Sequence, residues 1–532
     1  MLVPPSPSAA PASVRRVAGV PLAAVLLAAS LIPGMLAPAT QTVAADAAPA
    51  AARRPNILFI FSDDHATAAI SAYGSKLIDT PHIDRIAREG ALFRNCFCTN
   101  SICGPSRAVI LTGKHCHLNG FRDNHSTFDG SQVTFPKLMQ QAGYQTAMLG
   151  KWHLVSQPTG FDHWEVLPGQ GQYYNPMLLS APQQPGGEPA KRRVVGYCTD
   201  IVTDLALEWL DTRRDTSKPF VLMLQHKAPH REWQPGPEEL GLFRGRTFPE
   251  PPTLFDDYAG RAGGAAEQEM TIARHMTARD LALKPPENLT PEQKARWDAA
   301  FAAENAAFEA APPTGADRVR WNFQRYIANY LRCVAGVDRN IGRVLEHLDK
   351  TGLARDTIVI YSSDQGFYLG EHGWYDKRWM YEESLRMPLV VRWPGVTAPG
   401  TTIEQMVQNL DFAQTFLAAA GVEAPPDMQG RSLVPLLRGE SPPDWRQSIY
   451  YHYYEFPDPH RVPSHYGVRT PTHKLIWYDD RREWELFDLV NDPREMRSIH
   501  ADTAAQATFD GLRAELVRLR AAARDDTGGP LP

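Results

Sequence analysis

The chain has 532 residues, 43% hydrophobic and 22% charged, with a formal net charge of −5. That is a globular composition, long enough for a large core and a second domain. The charge balance speaks against a nucleic-acid binder, so an anionic substrate would have to be met by a local cluster of cations.

At the amino end, Arg15 and Arg16 precede the apolar run "VAGVPLAAVLLAASLIPGMLA", and small residues follow in "TQTVAADA". Residues 1–45 therefore read as a signal peptide cleaved near Ala44 to Ala47, with 46–53 a flexible linker. The alternative is an uncleaved anchor, because the run approaches spanning length. No later run does, so no stable membrane span is expected after cleavage. The expected location is periplasmic or extracellular. The six cysteines are too few for a disulfide scaffold in a chain this long, and export leaves pairing among Cys96, Cys98, Cys116, Cys198 and Cys333 open.

From residue 54 the chain alternates short apolar runs with helical patterns. "NILFIFSDD", "YQTAMLGKWH", "PFVLMLQHKAPH" and "DTIVIYSSDQG" are β-rich runs that each end in polar residues. Continuous apolar runs of this kind suit strands buried on both faces. "TPHIDRIAREG" and "FPKLMQQAG" read as helices stopped by glycine, and "WNFQRYIANYLRCVAGVDRNIGRVLEHLDKTG" as a long amphipathic helix ending near Gly352. The fold class is thus α/β: a large, mostly parallel mixed sheet sandwiched by helices, over 54–440. Residues 232–320, rich in Pro, Glu, Ala and Gly, read as an insertion that either shapes a cleft or is a solvated excursion. Beyond 441, "SIYYHYYEF", "YGVRTPTHKLIWYDD" and "WELFDLVNDP" predict a smaller antiparallel sheet, with one helix in "AAQATFDGLRAELVRLRAAA".

In open α/β sheets ligands bind beyond the carboxyl ends of the strands. Asp63 and Asp64, then Asp364 and Gln365, offer three carboxylates and an amide oxygen there, a donor set for a hard divalent ion, Ca²⁺ or Mg²⁺. Taken alone, Asp63 and Asp64 could equally cap a helix. Arg107, Lys151 and Lys377, with His153 and His230, would form a positive pocket facing the metal. Cys103 lies just before Pro105, at the start of a helix through "SRAVILTG", where the amino end favours an anion and lowers a thiol pKa.

"CGPSR" at 103–107 matches the C-x-P-S-R signature of type I sulfatases, in the alkaline phosphatase superfamily. "DD" at 63–64, "GKWH" at 150–153, "HKAPH" at 226–230 and "SDQG" followed by Lys377 also resemble that family's motifs, in its order. The resemblance runs from about residue 54 to the carboxyl end. It implies that a maturation enzyme oxidises Cys103 to Cα-formylglycine before folding. One hydroxyl of the hydrated aldehyde, bound to Ca²⁺, then attacks sulfur, and the second later expels sulfate. It implies Asp63, Asp64, Asp364, Gln365 and the modified Cys103 as metal ligands. Arg107 and Lys151 would hold the gem-diol, Lys377 and His230 would grip the sulfate and supply the acid, and His153 would act as base. The family often has Asn where Gln365 stands; Gln presents the same amide oxygen one methylene further out and is expected to ligate. His226 is the alternative to His230.

The loop "GEHGWYDKRWMYEES" and the carboxyl-terminal segment are similar to secreted bacterial sulfatases of the N-acetylglucosamine-6-sulfatase or mucin-desulfating type. A sulfated carbohydrate is the implied partner. Trp374, Tyr375 and Trp379 are candidates to stack on a sugar, Asp376 and Arg378 to bind ring hydroxyls or a carboxylate, and His465 to reach the same pocket. Packing is the alternative for each. A small-molecule sulfatase, a phosphonate or phosphate monoester hydrolase, and a glycan-binding protein with a dead site are the competing functions.

Overall fold

The structure, a computed structural model, describes residues 54–529 and residue 531, apart from 183, 185 and 458. Residues 1–45 and 46–53, read above as signal peptide and linker, lie outside the described residues. The central sheet has ten strands. Five run parallel, in spatial order Thr357–Ser363, Asn56–Ser62, Phe220–Gln225, Gln145–Lys151 and His163–Leu167. Antiparallel strands flank them, Leu389–Arg392 on one side and Met177–Ser180 on the other, where Ala190–Arg193 in turn pairs antiparallel with Met177–Ser180. Ala91–Phe93 and Thr401–Ile403 complete the first edge.

The apolar runs read as doubly buried strands are just that: Ile57 through Phe61 and Val221 through Leu224 are wholly enclosed. The 37-residue helix Gly315–Thr351 packs on the sheet and ends at Gly352, in the left-handed conformation that glycine takes without strain. Each enclosed Ile, Leu or Phe contributes about 1.5–3 kcal/mol relative to exposure. Such a core can support buried charges at its strand ends whose desolvation works against folding.

The carboxyl-terminal sheet is a four-stranded antiparallel meander, Ile449–Tyr453, His465–Arg469, His473–Tyr478 and Glu483–Asp488. Its two-residue alternation sorts side chains cleanly. Tyr450, Tyr466, Val468, Leu475 and Trp477 meet the final helix, Gln506–Ala523, through Leu512 and Leu516. Tyr451, Tyr453, Ile476 and Tyr478 face the other way and join the main core. Within residues 232–320, read above as an insertion, the helix Pro291–Ala310 starts at a capping box made by Thr290 and Gln293. All six cysteines are free and buried.

Candidate active site

Strand register builds the site. Ser62 pairs with Ser363, Phe61 with Gln225, and Gly150 with Gln225. Asp63 and Asp64, Asp364 and Gln365, Lys151 and the loop after Gln225 therefore leave the sheet at one level. The Asp64 N–H donates to Asp364 Oδ1 at 3.0 Å, and Tyr330 Oη donates to the Asp64 carbonyl at 2.7 Å, tying the two aspartate turns together. Gly366 follows Gln365 where the chain passes so close that a Cβ would lie 2.0 Å from the Glu383 carbonyl oxygen.

The helix Cys103–Thr112 points its amino end at these carboxylates. Cys103 is its first residue and Pro105 its third, where a missing N–H removes no helical bond. The Cys103 Sγ–H faces Asp63 Oδ1 at 3.2 Å. Arg107, one turn on, lies on the same face; its Nη2 is 3.4 Å from Asp63 and 3.2 Å from Asp364. Arg107 Nη1 donates to Gln225 Oε1 at 2.5 Å and to the Lys151 carbonyl at 2.8 Å, while the Phe61 ring lies under the guanidinium.

Lys151 pairs with Asp63, and Lys377 with Asp64 at 2.8 Å. Burial pushes Asp63 up, but Lys151, His230 and Arg107 outweigh it and hold the carboxyl well below its usual range. Burial dominates at Asp64 and Asp364 and raises both, each with carboxylate neighbours adding to the rise. Burial and Lys151 keep the imidazoles of His153 and His230 well below their ordinary value. The thiol of Cys103 moves the opposite way from the sequence expectation: burial, then Asp63, raise it well above an ordinary cysteine. The helix start does not compensate for enclosure beside a carboxylate, so the residue is poorly suited to act as a thiolate.

Oxygens of Asp63, Asp64 and Asp364 come within 4.8 Å of one another, all three enclosed, and Gln365 Oε1 is buried without a partner. Three hard, crowded carboxylates and an orphaned amide oxygen fit a divalent cation such as Ca²⁺. Beside them a cavity of about 300 Å³ opens past His230. Its walls include Gln170, Tyr173, Lys227 and Arg231, with Arg279 and Asn288 from the insertion. Gln170 Oε1 accepts from Lys151 Nζ at 2.5 Å, joining cavity and carboxylate cluster.

The family model described as "Sulfatase" matches residues 55–422, and that described as "N-sulphoglucosamine sulphohydrolase, C-terminal" matches residues 370–522. The chain belongs to the sulfatase family. An N-acetylglucosamine-6-O-sulfatase of Bacteroides thetaiotaomicron is 49% identical to it over 490 residues, 88% of this chain and 86% of the relative. A solved structure described as a complex with its substrate, D-glucosamine-2-N,6-O-disulfate, superposes with a TM-score of 0.86 at 47% identity, covering 90% of this chain and 99% of the other. A phosphonate monoester hydrolase of Agrobacterium radiobacter superposes with a TM-score of 0.66 at 20% identity, covering 88% and 96%, which is a likeness of fold alone.

In this sulfatase, Asp63, Asp64, Cys103, Arg107, Lys151, His230, Asp364, Gln365 and Lys377 converge at the strand ends, and His153 stands beside them in electrostatic reach of Lys151 and Asp63. Asp376 and Arg378 flank Lys377: Asp376 Oδ1 accepts from the Lys377 N–H at 2.9 Å and from Arg378 Nε at 3.1 Å.

Five candidates fall elsewhere. Trp374 is enclosed, stacks on Tyr258 and Trp379 and donates its Nε1–H to Tyr258 Oη at 2.9 Å, so it offers no face to a sugar. Trp379 and Tyr375 are equally enclosed. His465 is a satisfied core histidine, with Nδ1 donating to Pro463 O at 2.8 Å and Nε2 accepting from Met380 N at 3.1 Å. His226 is wholly buried and pairs its backbone N–H with Phe61 O, while His230 lines the cavity. The aromatic loop buries its rings and turns its charges to the site.

Sequence reasoning missed His460, whose Nε2 lies 3.5 Å from Asp376, and Lys227 in the cavity wall, although Lys227 stood in the quoted "HKAPH". It also missed the chain Arg378–Glu455–Asn124–Gly104, in which Glu455 binds Arg378 Nη1 at 2.8 Å and Asn124 N at 2.8 Å, and Asn124 Oδ1 accepts from Gly104 N at 3.1 Å.

Proposed function

We propose that this sulfatase removes the 6-O-sulfate of a glucosamine or N-acetylglucosamine unit in a sulfated glycan. The observation that carries the reading is Cys103 set 3.2 Å from Asp63 at the head of three strand-end carboxylates, ringed by Arg107, Lys151 and Lys377. The relatives named for N-acetylglucosamine 6-sulfate and glucosamine disulfate support the choice of sugar.

Asp63, Asp64, Asp364 and Gln365 would hold one Ca²⁺, which supplies charge neutralisation between anionic nucleophile and anionic ester. Cα-formylglycine at Cys103, installed by a maturation enzyme, supplies as its hydrate the attacking oxygen. Arg107 and Lys151 hold that hydrate in place and stabilise the charge growing on the sulfuryl oxygens. Lys377 and His230 grip the sulfate from the cavity side. A bound sulfate raises the proton affinity of His230 beside it, and the S–O bond breaks as His230 Nε2 passes its proton to the departing C6 oxygen. His153 takes the proton whose loss releases sulfate. Asp376, Arg378 and His460, beside Lys377, bind sugar hydroxyls. Residues 1–45 support export to the periplasm or beyond, where such polymers are met.

The test is peptide mass spectrometry across Ser101 to Lys114 combined with sulfate release from 6-O-sulfated N-acetylglucosamine. Formylglycine at residue 103 together with stoichiometric sulfate is expected. A fully modified protein that releases no sulfate from this sugar sinks the substrate, and an active protein with an unmodified thiol sinks the mechanism.

A further inference from the structure

Lys227 is a buried cation with no carboxylate within ion-pair distance among the described residues. It is 4% exposed and lines the cavity, with Nζ 4.8 Å above the Tyr173 ring and 3.4 Å from the Arg231 carbonyl. The neighbouring cations are committed. Arg231 makes two 2.7 Å bonds to Asp280, and Arg279 pairs with Glu287. Arg107, Lys151 and Lys377 each touch a strand-end carboxylate. Among the described residues Lys227 forms no ion pair.

Enclosing an unpaired ammonium is costly, and an aromatic face compensates only part of it. Burial, then Lys151, bring Lys227 down to about 8. The cavity is where the sugar must lie if its ester is to reach Cys103, because His230 and Gln170 belong both to its wall and to the carboxylate cluster. An anion arriving with the sugar would complete the missing pair.

We propose that Lys227 binds a second anionic substituent of the saccharide, a sulfate or carboxylate other than the ester that is cleaved. This rests on the sulfated-glycan reading above and makes Lys227 a specificity residue rather than a member of the reacting group. The chemistry is shared by an N-sulfate on the same ring and the carboxylate of an adjoining uronate.

Titration calorimetry of the wild-type protein tests it with sugars that lack the 6-sulfate. Glucosamine-2-N-sulfate is compared with N-acetylglucosamine, and a uronate-linked N-acetylglucosamine disaccharide with its uronate methyl ester. In at least one pair the anionic member should bind about tenfold tighter or more, the scale of one charge-assisted hydrogen bond; the pair that responds identifies the source. Lys227→Met should abolish the gap and Lys227→Arg retain it. Equal affinities within both wild-type pairs overturn the proposal without any variant, as does a gap that survives in Lys227→Met. In turnover, Lys227→Met should lower the ratio of kcat/KM for doubly sulfated over singly sulfated glucosamine by about tenfold, and an unchanged ratio counts against the role. Absence of turnover on both sugars defeats the sulfatase substrate reading alone, since the calorimetric comparison does not depend on it.

Discussion

Lys377 Nζ lies 2.8 Å from the carboxylate of Asp64, a residue 313 positions away in the chain. The pair brings the aromatic loop onto the first strand end and sets a cation beside the carboxylate cluster, where the proposed function needs one to meet sulfate charge. Lys377→Ala should lower kcat about 100-fold or more, as loss of a preorganised electrostatic donor does. Steady-state sulfate release checks this, and a loss below tenfold would remove Lys377 from the reacting set.

Chelation should abolish turnover and lower the thermal midpoint, and Ca²⁺ should restore both. Even with Arg107, Lys151 and Lys377 beside them, Asp64 and Asp364 are raised by burial and by carboxylate neighbours, the Gln365 oxygen is orphaned, and an ion bound only by the folded state stabilises it. Calorimetric unfolding with and without Ca²⁺ reads the effect. In Gln365→Leu the Ca²⁺-induced rise should shrink, and an undiminished rise would show that the amide is not a ligand.

Glu455→Ala should destabilise the protein by about 1.5–3 kcal/mol, because it removes a charge-assisted hydrogen bond from the buried guanidinium of Arg378, which keeps Asp376. Activity should fall as well, since Glu455 also holds Asn124, which accepts from the Gly104 N–H in the first turn after Cys103. Urea unfolding and kcat measured on the same preparation separate the two effects. Normal stability and normal kcat together would break the proposed link.

Gly366→Ala should be among the most damaging small substitutions, since its Cβ would overlap the Glu383 and Arg386 carbonyl oxygens at 2.0 and 2.4 Å. The backbone must shift next to Gln365 and Asp364, so both stability and Ca²⁺ affinity should fall. Soluble expression with unaltered Ca²⁺ affinity would contradict the packing argument.

Asp256 gives a pH prediction away from the reacting groups. Burial pushes its carboxyl up, but hydrogen bonds from His372 and Arg261 outweigh it and hold it at about 2 against an ordinary 3.8. A depressed folded-state pKa contributes stability above 3.8 that is lost as the pH falls through about 2. Allowing for solvent screening, that is roughly 1–2 kcal/mol. The stability gap between wild type and Asp256→Asn should be widest above pH 4 and close toward pH 2. A gap independent of pH would refute the assignment.

The sheet and most of the residues that converge at its strand ends were legible because doubly buried parallel strands leave unbroken apolar runs, and their ends are where polar residues must emerge. Asp63, Lys151, His230 and Asp364 all stand just past such runs. What was not legible depends on contacts made across the fold. Asn124 and Glu455 meet across 331 residues, and neither sits in a motif. In "HGWYDKRWMYEES" aromatics and charges are interleaved without a period, so nothing in the string says that Trp374 turns inward while Asp376 turns to the site. His465 and His460 differ only in which side of a strand start they occupy.

Ser101 N–H donates to Tyr451 Oη, 350 residues further along, so the support beneath the Cys103 turn comes from the last quarter of the chain. At a synthesis rate of roughly 5–20 residues per second, that support follows the cysteine by tens of seconds. During that interval the segment exists without the wall that later encloses it. On the proposed mechanism, the order of translation would give a modifying enzyme a window that folding afterwards shuts, and a molecule that passed through it unoxidised would be locked with its thiol inside.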